Sequence, residues 1–310
     1  MAEAHPARQP AHHRARRAFL RACALDVGVR KPGNVSLASP GHGMQAEMFL
    51  RSAQAASEGL FAPGARVGAR IEAAQAASWA AAGCNTNLGI LLLCAPLAAA
   101  AEQAGPSDSL RATLQGVLQR LDLEDAAAAY RAIAAANPGG LGEAPEEDVH
   151  AAPRLSLRSA MVLAADRDLI ARQYRDGYAG LFDVTLPVWQ AAGLGRRADF
   201  PALDDAAPDA RTTLAVQRVY LACLSSWPDS HIVRKHGEAV AQTVMRSAQA
   251  WRVRAEAGEV LDADPAFADW DAQLKAQGLN PGTSADLTVA TLMLAGLIGS
   301  TPAAWHGSCL

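Results

Sequence analysis

Helical periodicity is the feature that most limits what this chain can become. Apolar side chains recur three and four residues apart in segment after segment, and glycine or proline interrupts the pattern each time it lapses. No stretch alternates apolar and polar residues as a strand does, no βαβ rhythm is visible, and no internal repeat has a fixed period. The segments predicted as helices are 14–27, 44–59, 66–82, 87–104, 107–119, 123–136, 155–175, 211–226, 231–253, 264–277 and 284–299. Composition agrees. Half of the 310 residues are apolar, only 5% are aromatic, and alanine, the residue that loses least entropy in a helix, is abundant. The expected fold is all-α, a single globular domain of many packed helices over residues 14–310, preceded by a disordered lead at 1–13.

Several classes of function are disfavoured. A net charge of -3 supplies no general basic field for nucleic acid. The longest apolar stretches, Leu88–Ala101 and Leu287–Ile298, are too short to span a bilayer, and the first contains Pro96. The Arg- and His-rich start has no apolar segment behind it, as a secretory signal would require. Cys23, Cys84, Cys94, Cys223 and Cys309 form no CxxC and no grouping with histidine, as expected of reduced thiols in a cytoplasmic protein. The large apolar helices leave room for a homodimer.

Chemistry in a helical protein gathers where loops feed helix starts. Six polar segments interrupt the pattern: Lys31-Pro32-Gly33-Asn34-Val35-Ser36, Gly41-His42-Gly43-Met44, Gly83-Cys84-Asn85-Thr86-Asn87, Asp183-Val184-Thr185-Leu186-Pro187, Trp227-Pro228-Asp229-Ser230-His231 and Asn280-Pro281-Gly282-Thr283-Ser284-Ala285-Asp286. Each has an architectural reading. Asn85 or Thr86 can cap the apolar helix after it, Asp229 or Ser230 the next, and Thr283 or Ser284 another, with Asp286 favourable in a first helical turn. Lys31 suits a helix exit and Asp183 a turn. Yet NTN holds more polar groups than one cap requires. His231, Arg234, Lys235 and His236 put positive charge where a helix start disfavours it. Three spaced acids, several polar helix starts and a few cations together fit a divalent cation with a polyphosphate, because Mg²⁺ is held by one or two carboxylates plus phosphate oxygens.

KPGNVS, then His42, GCNTNLG, WPDSHIVRKHG and LNPGTSADL, in that order from about Ala22 to Leu294, resemble the triphosphoribosyl-dephospho-CoA synthase family. The resemblance implies a Mg²⁺-dependent enzyme that moves the triphosphoribosyl unit of ATP to the ribose 2′-hydroxyl of 3′-dephospho-CoA and releases adenine. Its partners are then ATP and a small-molecule acceptor, with no nucleic acid and no membrane. It implies nucleotide and phosphate contacts from Lys31, Asn34, His42, Asn85, Thr86, Asn87, Arg234, Lys235, Thr283 and Ser284. Asp183, Asp229 and Asp286 become the catalytic carboxylates, Asp229 and Asp286 also holding the metal. The family commonly has NTHKG where this chain has Asn87 and Leu88, an aspartate in place of Ser36, another in place of Met44, and PGGSADL for PGTSADL. Those departures raise two other readings. One is ribosyl or phosphoribosyl transfer to a different acceptor in tetrahydromethanopterin-type cofactor synthesis. The other is a helical protein that binds nucleotide without turnover.

Overall fold

A computed structural model describes residues 11–105, 107–138, 147–193 and 208–298. Among them, fourteen α-helices and no β-sheet are present. The helices are α1 (Ala11–Gly28), α2 (Ala46–Leu60), α3 (Val67–Ala82), α4 (Leu88–Gln103), α5 (Leu110–Gln119), α6 (Leu123–Ala136), α7 (Leu157–Ala164), α8 (Leu169–Asp176), α9 (Leu186–Ala191), α10 (Ala210–Ser226), α11 (Ser230–His236), α12 (Glu238–Glu256), α13 (Pro265–Ala276) and α14 (Gly282–Ile298). The first ten residues of the expected lead lie outside the described residues. Its last three belong to α1, which starts at Ala11 rather than Arg14. No described helix is long and apolar enough to cross a membrane.

The architecture follows from two helices that are apolar all round. Along α4 every residue from Ile90 to Ala100 is buried, and along α14 nearly every residue from Thr283 to Ala295. A helix with no polar face has to be enclosed by others. Here α1 packs against both, while α2, α3, α5, α8, α9 and α10 close the sides. A smaller apolar cluster, including Leu221, Ile232, Phe267 and Leu274, joins α10 to α13 beside the start of α14.

Three boundaries depart from the periodicity. The helix expected over 155–175 breaks into α7 and α8, because Asp168 turns its carboxylate onto the free amides of Ile170 and Ala171 and starts a new helix. The one expected over 231–253 breaks at Gly237, whose φ of +85° no helix accommodates. Residues 180–185, to which the pattern assigned no element, form a turn of π-helix leading into α9.

Pro96 does not break α4. Proline cannot donate the amide proton that the carbonyl of Leu92 would receive, so that oxygen is left bare in the core. The Tyr174 hydroxyl donates to it at 2.6 Å, and the Tyr178 hydroxyl donates to the carbonyl of Leu93 at 2.9 Å. Both rings are fully buried. Tyr174→Phe should leave the Leu92 carbonyl unpaired and cost about 1–3 kcal/mol, read as a lowered urea midpoint with an unchanged slope.

Candidate functional site

The site begins with the loop between α1 and α2. In Lys31-Pro32-Gly33-Asn34, Gly33 donates its amide to Asp271 Oδ1 at 2.8 Å, and the carbonyl of Pro32 accepts the Tyr220 hydroxyl at 2.6 Å. Asn34 Nδ2 donates to Asn280 Oδ1 at 2.9 Å. Gly33 sits at φ +82°, and a Cβ there would lie 2.7 Å from Cδ of Pro281, so only glycine allows the approach. His42, itself in a left-handed conformation, places Nε2 2.8 Å from the Gly33 carbonyl. The first, second and last polar segments are therefore one knot, brought together from opposite ends of the chain.

Lys31 has a different place from the one expected for a phosphate contact. Its side chain is fully enclosed, with Nζ 3.1 Å from Asp26 Oδ1 and hydrogen-bonded to the Asp26 carbonyl. It supplies the counter-charge that lets Asp26 be buried near the end of α1. Burial still pushes the Asp26 carboxyl above its ordinary range, and Lys31 pulls it back.

Asp229 is likewise structural by its bonds. Oδ1 accepts the amides of His231 and Ile232 at 2.9 and 3.2 Å, which caps α11. Oδ2 accepts both the amide and the hydroxyl of Ser284, at 2.7 and 2.8 Å. A carboxylate offers about four lone-pair sites, and all four are used. Asp229 is thus a clamp between α11 and α14 with no site left for a metal, and Ser284 is committed to it rather than to phosphate.

Asp286 differs from both. It stands in the first turns of α14, and its carboxylate accepts no hydrogen bond from the described residues. Its carboxylate lies against Gly89 of α4, where an added Cβ would fall 2.0 Å from Oδ2. Burial above all, then the negative charge of Asp26 and Asp229, raises its carboxyl well above the usual range.

Around Asp26 and Asp286 lies a polar pocket of about 120 Å³. Asp26, Asn34, Asn85, Thr86, Arg234, Asn280, Thr283 and Asp286 line it, with Met44, Phe49 and Leu88 as apolar wall. The first turns of α4 and α14 both open on it, so the positive ends of two helix dipoles converge there.

The opening NTN segment divides its work. Asn85 Oδ1 accepts the Leu88 amide at 3.2 Å, Thr86 Oγ1 lies 2.8 Å from Ser52 Oγ, and the enclosed Asn87 amide meets the same serine hydroxyl at 2.8 Å. Asn87 therefore ties α4 to α2 and does not line the pocket. Leu88 and Met44, where the resembling family commonly has lysine and aspartate, both do.

On the opposite wall, Arg234 pairs with Asp168 at 2.7 Å, while its Nε has no hydrogen-bond partner among the described residues. Lys235 is exposed outside the pocket. The neighbouring His231 is held neutral, its pKa lowered to about 3 by burial and by the charges of Lys235 and Arg234.

Asp183 is not brought to this place. It lies exposed on the π-turn, in a two-point ion pair with Arg111 at 2.6 and 2.7 Å. Two participants escaped sequence reasoning. Asp26 was hidden inside an apolar helix, though a buried acid five residues before Lys31 was a signal. Asp168 sat mid-way in a segment that read as one helix.

The residues present suit a divalent cation with phosphate ligands. The described residues contain no cluster of three or more metal-binding side chains. Asp26, whose Oδ1 is met by Lys31 Nζ at 3.1 Å without a well-aligned hydrogen bond, and Asp286, whose carboxylate has no partner among the described residues, instead offer two carboxylates, the donor set Mg²⁺ uses when phosphate completes its shell.

The family model of the ATP:dephospho-CoA triphosphoribosyl transferases matches residues 12–303. The chain belongs to this family. Its members are transferases that use ATP and dephospho-CoA. A crystal structure of an Archaeoglobus fulgidus protein, provisionally designated a triphosphoribosyl-dephospho-CoA synthase, shares the fold. It has 22% identity and a TM-score of 0.58, over 82% of this chain and 100% of that one. No curated protein matches the chain.

In this transferase, Gly89→Ala should displace the Asp286 carboxylate by about an ångström. A fall in turnover of roughly a hundredfold is expected, with a thermal scan showing the protein still folded.

Proposed function

We propose that the polar pocket transfers the triphosphoribosyl unit of ATP to the ribose 2′-hydroxyl of 3′-dephospho-CoA, with Mg²⁺ held by Asp26 and Asp286. The observation that carries this reading is Asp286, a half-buried carboxylate between the starts of two buried helices that accepts no hydrogen bond from the described residues. An acid in a pocket, its carboxyl shifted upward and its oxygens open to a ligand, marks a functional site.

The bond from C1′ to the adenine nitrogen breaks, and a bond forms between C1′ and the acceptor oxygen. The acceptor gives up its hydroxyl proton, and the departing adenine takes one up. As the base leaves, positive charge grows on the sugar, and a carboxylate beside it lowers the barrier, as in glycoside hydrolysis. Bound Mg²⁺ supplies charge neutralisation for the triphosphate. Arg234, steadied by Asp168, and the amides at the starts of α4 and α14 hold the remaining phosphate oxygens in place. Asn34, Asn85 and Asn280 offer amides to sugar hydroxyls. His231, neutral, adds no charge of its own. The free thiols of Cys23, Cys84, Cys94 and Cys223 suit an enzyme of the cytoplasm.

Adenine release from ATP, followed by chromatography, tests the reading. Adenine is expected only when Mg²⁺ and dephospho-CoA are both present. Asp286→Asn should reduce the rate by about a hundredfold or more, whereas Asp183→Asn, altering an exposed surface pair, should leave it as it was. A wild-type rate in the Asp286 variant would remove that residue from the chemistry.

A further inference from the structure

A second cavity, of about 390 Å³, adjoins the polar pocket. Pro138, Ile170 and Arg234 line both, so the two are immediate neighbours. Its volume is that of a small-molecule site, and its character is the reverse of its neighbour's. Leu92 of α4, Ile133 of α6, Leu157 and Met161 of α7 and Ile170 of α8 make aliphatic walls. Those walls have nothing to offer a triphosphate or a ribose.

Its polar groups fall into two sets. Arg234, common to both, marks the border with the polar pocket, and its partner Asp168 and the adjacent Arg167 line the second cavity. Arg167 is exposed and its guanidinium has no partner among the described residues. The other set is Glu147 and Asp148 with the Tyr130 hydroxyl, which donates to Glu147 at 2.9 Å. Tyr130 is the one aromatic residue among those lining the cavity, so a purine would find little to stack on.

Dephospho-CoA is split along the same line. One part is adenosine with a diphosphate. The other is a pantetheine arm of methyl and methylene groups carrying two amides. We propose that the aliphatic cavity receives the pantetheine arm of the acceptor, with the acceptor's diphosphate at Arg167 and its ribose hydroxyl turned into the polar pocket. This rests on the reading of the polar pocket given above. The walls bury the arm's methyl and methylene groups. The cavity thereby separates dephospho-CoA from smaller adenine nucleotides that lack the arm.

Kinetics and binding test this. Ala160→Phe and Ala164→Phe narrow the cavity from half-buried positions on α7. Each should raise KM for dephospho-CoA by about tenfold or more, with KM for ATP little changed and the far-ultraviolet dichroism of the wild type. On the wild-type protein, 4′-phosphopantetheine should inhibit competitively against dephospho-CoA and not against ATP. That second result decides the matter if the variants fail to fold.

Competition with ATP, or a raised KM for ATP in the variants, would overturn the assignment and give the cavity to the donor purine. Folded variants with an unaltered KM for dephospho-CoA would overturn it as well. Absence of adenine formation by wild-type protein is a separate failure, that of the transferase reading. Calorimetric titration of dephospho-CoA into wild type and Ala160→Phe would still read the cavity, and equal affinities would defeat the proposal.

Discussion

The close contact between α4 and α14 at Gly89 and Asp286 governs much of this molecule. Two helices without a polar face are driven inward together, and their first turns meet at one level. An apolar pair would seal at that point. Here one helix contributes a carboxylate and the other the absence of a side chain, so the seam opens into a polar pocket. The same burial that stabilises the helices raises the Asp286 carboxyl and draws two helix dipoles onto one spot. Core and site are thus two consequences of one arrangement.

The other acids show how a shared residue type can carry unlike duties. Asp26 is balanced by an enclosed lysine, Asp229 is saturated by four donors, Asp168 caps a helix while gripping Arg234, and Asp183 faces water beside Arg111. Only the bonds each one makes distinguish them. A carboxylate with every lone pair taken is a joint, and one with none taken is available to a ligand.

Much of the fold was legible from pattern. The buried runs at 88–101 and 287–298 became the central helices, and the polar segments around Lys31, Asn85 and Thr283 gathered at one site. The resemblance carried by KPGNVS, GCNTNLG and LNPGTSADL led to the family that the chain joins. Where reading failed, local competition had decided the outcome. Asp168 and Gly237 interrupt segments whose apolar spacing continues through them, because a cap and a left-handed glycine outweigh propensity. The turn holding Asp183 is a π-helix, which has no sequence period to betray it.

Sequence alone determined the class of structure, since helical periodicity with alanine and few strand formers permits little else. It also determined the inventory of polar groups that a site could use. Tertiary structure decided the assignments. Whether Lys31 meets a ligand or Asp26, and whether Ser284 holds phosphate or Asp229, depends on which side chains the packing sets within about 3 Å, five residues away in one case and 55 in the other. Periodicity reports which face of a helix is buried. It does not report which buried groups find each other, and the free energy of a buried charge is set by that pairing.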